Sequence, residues 1–137
     1  MAATHLLDTS VYSQPLKPSP LPGVTRRWNM IGEERLTISA ICEAELLNGL
    51  ESRNSAKLWT LYHSMLEHRL PVLPVDSEVA AEYARIASLL RRHGRTRSDF
   101  DLLIAATAKC RGLVLATCNA KHFAGIEGLA VEDWSTE

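Results

Sequence analysis

The 137-residue chain lacks any hydrophobic run of the roughly 18 residues that a membrane-spanning helix requires. Residues 1–8 also lack the basic stretch, the long apolar core and the cleavage site of a signal peptide. These absences exclude a transmembrane helix as the organising element. We therefore expect a cytoplasmic protein that does not act at a membrane.

Patterns typical of disulfide frameworks and zinc sites are also missing. The cysteines Cys42, Cys110 and Cys118 are odd in number, and none of them has CxxC spacing. The five histidines show no spacing typical of metal ligands. We expect three reduced thiols within the folded core and no zinc site.

The chain has no large excess of charge of either sign. Its formal net charge is −1, which excludes nucleic-acid binding through bulk positive charge but leaves local basic patches open. Hydrophobic residues make up 46% and charged residues 23%, close to ordinary globular usage. We expect one compact domain over residues 1–137.

Short apolar strands alternate along the sequence with amphipathic helices. This order predicts a three-layer α/β/α fold with a central, mainly parallel sheet of four to five strands. A functional site in such a fold lies beyond the carboxyl ends of the strands. The predicted strands are residues 4–7, 36–39, 71–75, 113–117 and 129–132. The predicted helices are residues 24–32, 40–50, 55–69, 77–93 and 98–110, with a turn after the first strand and an irregular proline-rich loop at 14–23.

Acidic residues and one amide stand where predicted strands end or helices begin. Asp8 follows the first strand, Glu45 lies early in a helix, Asp99 and Asp101 open another helix, and Asn119 follows the fourth strand. Clustered carboxylates resist ionisation unless a positive charge neutralises them. Oxygen ligands without His or Cys select Mg²⁺ or Mn²⁺. Such a site suits hydrolysis of phosphodiesters by a metal-activated water.

Each of these residues also has a structural explanation. Asp8 fits a turn or a helix cap, and Asn119 fits the turn after a strand. Glu45 is separated by one residue from another glutamate, so one of the two is a solvated surface charge. Acids are favoured in the first turn of a helix, which makes capping the stronger explanation for Asp99. Asp101 precedes a wholly apolar run, which is less natural for a purely surface carboxylate.

Four passages together resemble the PIN-domain family and, more narrowly, its VapC-type toxins. They span nearly the whole chain in the expected order. The DLLIAATA stretch with a following TxN is the most specific of these motifs. The passages are LLDTSVYS (6–13), LTISAICEAELLNGL (36–50), SDFDLLIAATAKCRGLVLATCNAKHF (98–123) and GLAVEDW (128–134).

The resemblance implies a Mg²⁺- or Mn²⁺-dependent endoribonuclease that is the toxin of a type II toxin–antitoxin pair. The family's acidic positions fall on Asp8, Glu45 and Asp101, which would ligate the metal. Asn119 stands at the fourth position and would position a water or a phosphate oxygen. Asp99 is an accessory ligand or holds a water bound to the metal.

Two departures from the family pattern stand out. Ser10 occupies a position where the family usually has asparagine. Both residue types donate hydrogen bonds, so Thr9 and Ser10 are expected to act as donors around the metal ligands. Asn119 replaces a frequent aspartate and lacks the charge to hold a second ion, so one metal is expected rather than two.

A group of arginines precedes the acidic helix start. Arg95 and Arg97 are expected to bind RNA phosphates. Such contacts position the substrate but do not recognise its sequence. The alternative is a solvated helix end whose cations complement the helix dipole. Salt dependence of RNA binding separates these two explanations.

The resemblance also implies partners. A cognate, VapB-like antitoxin would cover the acidic groove, and the toxin would form a homodimer through helices 55–69 or 77–93. A catalytically silent PIN-like binding module is the main alternative to an enzyme. A metal-dependent DNA nuclease or phosphatase is the alternative within the same chemistry, since all these substrates present a phosphate to a hard cation.

Overall fold

The computed structural model describes residues 2–137. The chain alternates strands and helices, as the apolar periodicity predicts. None of the helices within 2–137 is long and apolar enough to cross a membrane. The strands are β1 (His5–Leu7), β2 (Leu36–Ser39), β3 (Val72–Leu73), β4 (Val114–Thr117) and β5 (Val131–Asp133). The α-helices are α1 (Thr9–Tyr12), α2 (Pro22–Ile31), α3 (Ala40–Arg53), α4 (Ala56–Met65), α5 (Ser77–Arg92) and α6 (Asp99–Cys110), with 3₁₀ turns at Gln14–Leu16, Glu33–Arg35 and Ala120–Phe123.

The five strands form one sheet in the order β3-β2-β1-β4-β5, and every neighbouring pair is parallel. The predicted parallel sheet is therefore confirmed. From β1 the chain continues outward on one side to β2 and β3, and on the other side to β4 and β5. The strand order thus reverses between β1 and β4, and a crevice opens beyond the carboxyl ends of strands at such a point.

Two apolar clusters pack against opposite faces of the sheet. Successive residues of β1 point to opposite sides, so Leu7 joins one cluster and Leu6 the other. The Leu7 cluster includes buried side chains of α1, α2, α3 and α4, among them Trp28 and Leu50. The Leu6 cluster includes side chains of α5 and α6, among them Ile86. The predicted three layers are therefore confirmed.

The three cysteines are free thiols, as predicted, but Cys110 and Cys118 are only partly buried rather than within the core. Cys42 is buried in the Leu7 cluster, and burial raises the pKa of its thiol. Burial likewise raises the pKa of Cys118. A raised pKa keeps a thiol protonated and unreactive at neutral pH.

The segment after β1 differs from its prediction. The residues after Asp8 form the short helix α1 rather than a simple turn. The proline-rich region 14–23 is only partly irregular, because Gln14–Leu16 is a 3₁₀ turn and α2 already begins at Pro22. Proline suits the first position of a helix, where its missing N–H has no partner to lose.

Several element ends also differ. The helix predicted over 55–69 stops at Met65, because the Glu67 amide bonds the Tyr62 carbonyl and His68 adopts a left-handed φ of 63°. The helix predicted over 40–50 continues to Arg53. The strand predicted over 71–75 shrinks to two residues, since the proline that follows cannot donate to a ladder. The last strand is displaced to Val131–Asp133.

Candidate active site

Asp8 stands at the carboxyl end of β1, at the point where the strand order reverses. Its backbone N–H donates to the Ala116 carbonyl of β4 at 3.0 Å, so the sheet continues up to this residue. Its side chain caps α1, because Oδ1 accepts from the Val11 amide at 3.2 Å. Only 6% of Asp8 is exposed. The predicted cap is confirmed, and the cap places a carboxylate in the crevice.

Two hydroxyl groups direct their protons at the Asp8 carboxylate. Ser10 Oγ donates to Oδ1 at 2.5 Å, and Thr117 Oγ1 donates to Oδ2 at 2.6 Å. The backbone amides of Cys118 and Asn119 donate to these same hydroxyl oxygens, each at 2.9 Å. Because an amide occupies a lone pair of each hydroxyl, the hydroxyl proton is free to point at the carboxylate.

The environment of Asp8 is therefore polar, and no cationic side chain among residues 2–137 is paired with its carboxylate. Burial raises the pKa of this carboxyl, and the hydrogen bonds from Ser10, Thr117 and Val11 offset part of that increase. Oδ1 accepts from Ser10 Oγ and from the Val11 amide, and Oδ2 accepts from Thr117 Oγ1. These donors are neutral, so they leave the ionised carboxylate with a buried charge that a divalent cation would neutralise.

Glu45 reaches the same crevice from α3. Thr9, the residue after Asp8, donates from Oγ1 to Glu45 Oε1 at 2.6 Å. Ser39 starts α3 by accepting the Cys42 amide at 3.1 Å, which sets the first turn of this helix directly after β2. Thr9 thus connects the two carboxylates of the β1 and α3 side of the site.

Asp99 and Asp101 differ in their surroundings. Ser98 caps α6, with Oγ accepting the Asp101 amide at 3.1 Å, so the capping role predicted for Asp99 is wrong. Ser98 precedes the helix and can fold its short side chain onto the first turn, whereas Asp99 is already helical. Asp99 Oδ1 instead accepts from Tyr83 Oη on α5 at 2.7 Å. Asp101 Oδ2 lies 3.6 Å from His122 Nδ1.

Asn119 begins the 3₁₀ turn that follows β4. Its side chain makes no capping bond and is exposed, while its carbonyl accepts the His122 amide at 2.9 Å. The same short segment therefore presents both the Asn119 amide group and the imidazole that faces Asp101. It connects the Asp101 side of the site to the end of β4.

The two arginines expected to bind RNA already have contacts within the protein. Arg97 donates from Nε to the His122 carbonyl at 2.9 Å and from Nη1 to the Thr96 carbonyl at 2.8 Å. The Arg95 guanidinium lies over Gly125, where a Cβ would collide with it. Arg97 thus holds the backbone of the residue that faces Asp101.

A hydrogen bond from Thr9, the residue after Asp8, links the β1 end to Glu45, while a close contact joins Asp101 to the Asn119 segment through His122. No three Asp, Glu, His or Cys side chains within residues 2–137 are placed to hold one ion by themselves. The oxygen donors and the buried Asp8 carboxylate nevertheless fit a hard ion such as Mg²⁺, which keeps several waters and uses few carboxylates.

Sequence reasoning missed two residues of this site. Thr117 bonds Asp8 directly, and His122 faces Asp101. The TxN motif contained the signal for Thr117, because it places a hydroxyl at the last position of β4. No spacing pattern indicates His122, whose contact with Asp101 arises only when α6 and the 3₁₀ turn meet.

Comparisons with known proteins agree with this geometry. A family model described as the PIN domain matches residues 5–129. Toxin FitB of Neisseria gonorrhoeae is 36% identical over 135 residues, which cover 94% of this chain and 97% of that protein. The tRNA(fMet)-specific endonuclease VapC of Shigella flexneri is 32% identical over 130 residues, which cover 95% of this chain and 97% of that protein.

Solved structures resemble the fold over the same extent. DNA-bound VapBC from Salmonella typhimurium aligns with a TM-score of 0.84 and 31% identity, covering 96% of this chain and 98% of that chain. FitAcB from Neisseria gonorrhoeae aligns with a TM-score of 0.86 and 35% identity at the same coverage. Together with the crevice acids at the ends of parallel strands, these matches show that the chain belongs to the PIN-domain family.

Proposed function

We propose that this protein is a Mg²⁺- or Mn²⁺-dependent endoribonuclease that serves as the toxin of a type II toxin–antitoxin pair. The observation that carries the proposal is Asp8, a nearly buried carboxylate that is oriented by hydroxyl and amide donors and forms no salt bridge with any residue from 2 to 137. Relatives that align over almost the whole chain are named a toxin and a tRNA-specific endonuclease.

Asp8, Glu45 and Asp101 are the residues that would hold the metal. Bound there, Mg²⁺ or Mn²⁺ would lower the pKa of a water and stabilise negative charge on the phosphate. Asn119 is neutral and adds no charge for a second ion. We therefore propose one metal site rather than two.

The side chains of the chain itself orient the reactants. Ser10 and Thr117 fix the plane of the Asp8 carboxylate, and Thr9 fixes one oxygen of Glu45. Glu45 is thereby placed to orient the attacking water. Asn119, exposed at the mouth of the crevice, is placed to position a phosphate oxygen or a water. In-line attack then leaves a 5′-phosphate and a 3′-hydroxyl.

Two further residue roles belong to this proposal. Asp99, which accepts from Tyr83, is an accessory group that holds a water near the site. Arg95 contacts RNA phosphate from the edge of the site. Arg97 supports the same edge through its bonds to backbone carbonyls, which leave less of its guanidinium for RNA.

We propose a cognate, VapB-like antitoxin and a homodimer as the assembly of this toxin. The matched structures of relatives are named as VapBC and FitAcB complexes, one of them bound to DNA. The candidate dimer elements are α4 and α5, which correspond to the helices predicted over 55–69 and 77–93. We further propose that the protein works in the cytoplasm, where an RNA substrate and the antitoxin would be present.

The decisive experiment is cleavage of a mixed cellular RNA pool by purified, antitoxin-free protein. Reactions contain Mg²⁺, Mn²⁺ or EDTA, and an Asp8→Ala variant serves as the matched control. We expect cleavage that requires both the metal and Asp8 and that leaves 5′-phosphates. Single-stranded DNA and a phosphate monoester, offered in parallel, distinguish a DNA nuclease or a phosphatase. A folded protein that cleaves none of these would instead support a silent binding module.

A further inference from the structure

An open groove adjoins the candidate active site on the α3 and α4 side. It has a volume of about 450 Å³ and runs between α3, α4 and the segment that follows α1. Glu45 lies in its wall, so the groove is continuous with the crevice acids. Its floor is apolar and is formed mainly by leucines of the two helices, such as Leu46 and Leu58.

Three cations line this groove, and none of them is paired with an acidic side chain among residues 2–137. The side chains of Lys17, Arg53 and Lys57 form no salt bridge or hydrogen bond with any residue from 2 to 137. Arg111 and Lys109, in contrast, are paired with Asp76 and Glu82. Among residues 2–137, Glu45 is the only acidic residue of the groove lining. The groove therefore carries uncompensated positive charge in a chain whose net charge is −1.

Gly49 is a second indication that the groove accommodates a bound chain. It lies inside α3, where glycine is less stable than alanine because it has more conformational freedom to lose. A Cβ added at Gly49 would meet no atom within 4 Å, so packing does not require glycine here. The missing side chain does, however, leave the groove wall open to close approach by a bound chain.

We propose that this groove binds the single-stranded RNA substrate and leads it to the acidic site. This inference rests on the proposed ribonuclease function. Lys17, Arg53 and Lys57 contact successive backbone phosphates, while sugar and base surfaces lie over the leucine floor and Gly49. Several unpaired cations with a single acid at one end match a regularly charged phosphate backbone, and that acid lies where the phosphodiester is to be cut.

The test measures binding of a fluorescein-labelled single-stranded RNA in EDTA, which prevents cleavage, over a series of KCl concentrations. The variant is Lys17→Gln/Arg53→Gln/Lys57→Gln. The matched control is Arg26→Gln/Arg69→Gln/Arg85→Gln, which removes three exposed cations that lie outside the groove lining. The slope of log K against log salt is negative, and each lost phosphate contact makes it less steep by about 0.7 for a single strand. We expect the slope of the groove variant to be less steep than that of the wild type by about 2. We expect the control variant to leave the slope unchanged.

A second variant, Gly49→Gln, separates steric access from charge. A helix-forming side chain at an open position should raise the melting temperature while weakening RNA binding, with the salt slope unchanged. Circular dichroism of every variant establishes that each is folded. An unchanged slope in the groove variant would overturn the proposal, and an unchanged affinity of Gly49→Gln would overturn the close approach of RNA at Gly49.

Three results separate failure of the groove assignment from failure of the proposed ribonuclease function. If the wild type cleaves RNA with Mg²⁺ while the groove variant keeps the wild-type salt slope, the groove assignment fails and the ribonuclease function stands. If the groove variant keeps that slope but no longer binds the antitoxin, the groove belongs to a protein partner. A wild type that neither binds nor cleaves RNA overturns both proposals.

Discussion

Asp8 and Asp76 occupy the same local motif in two regions of the molecule with opposite electrostatics. Each aspartate precedes a helix, and each carboxylate accepts the amide three residues later, from Val11 at 3.2 Å and from Val79 at 3.0 Å. Burial raises the pKa of Asp8. The Val79 amide, followed by Arg111, lowers the pKa of Asp76.

The difference lies in what surrounds the two caps. Asp76 is open to solvent on one side and pairs with the Arg111 guanidinium, so its charge is compensated. Asp8 lies inside the crevice, and its polar partners are backbone amides and the neutral hydroxyls of Ser10 and Thr117. One aspartate can therefore both cap a helix and be suited to hold a cation. Asp8 caps α1 and, in the proposed function, also holds the metal, whereas the charge of Asp76 is already compensated by Arg111.

The largest expected effect on RNA cleavage and on melting temperature comes from replacing each capping aspartate in turn by asparagine. Asp8→Asn should lower RNA cleavage by more than about 100-fold, since even the partners of metal ligands cost ~10- to 100-fold when removed. Its melting temperature should equal or exceed that of the wild type, because a buried, uncompensated charge is lost. Asp76→Asn should keep full cleavage and lower the melting temperature. Cleavage assays and thermal melts of both variants check the contrast, and active Asp8→Asn protein would refute it.

A smaller effect is expected from the hydroxyl that orients Asp8. Thr117→Val removes the donor to Oδ2 and the acceptor of the Asn119 amide, and should reduce kcat/KM by about 10- to 100-fold. Thr107→Val is the matched control, because this buried hydroxyl bonds only the Leu103 carbonyl of its own helix. Thr117→Ser should restore most of the activity. Equal losses in the Thr117→Val and Thr107→Val variants would show a general packing defect instead.

Metal addition should stabilise the protein through Asp8 and not through Asp76. A ligand that binds only the folded state adds about 1.4 kcal/mol when its free concentration is tenfold above its Kd. Thermal melts with Mg²⁺ and with EDTA should show this gain in the wild type and in Asp76→Asn, and little of it in Asp8→Asn. A gain of the same size in Asp8→Asn would place the ion elsewhere.

The smallest expected effect is a pH dependence of stability from Asp76. Its pKa is lower in the folded than in the unfolded protein, so its ionised form favours folding. That contribution is complete above the unfolded pKa of about 3.9 and is lost as pH falls through the folded value. Asp8 contributes with the opposite sign, because its folded pKa is raised.

Urea unfolding at pH 7 and at steps down to pH 3 measures this contribution. The stability difference between the wild type and Asp76→Ser should shrink toward acid pH, since serine keeps a cap but carries no charge. A difference independent of pH would mean that the Asp76 charge does not contribute.

Much of the fold followed from local pattern. The alternation of apolar strands and amphipathic helices predicted the layers and the parallel sheet, and the position of Asp8 after a strand predicted its place at the carboxyl edge. Helical periodicity did not predict where a helix ends when a reversal of the chain sets that end. The end of α4 depends on the Glu67 amide reaching the Tyr62 carbonyl and on the left-handed His68, which helical periodicity does not reveal.

The sequence by itself determined which residues carry oxygen atoms suited to bind a metal. It also determined that strands bring Asp8 and Asn119 to one edge of a sheet. Only the tertiary structure decided that Asp8 is buried among hydroxyls while Asp76 finds Arg111, and that His122 faces Asp101. The physical reason is the distance along the chain over which each interaction acts. Periodicity and capping act over a few residues along the chain, whereas desolvation and charge pairing depend on neighbours that folding brings together from distant positions.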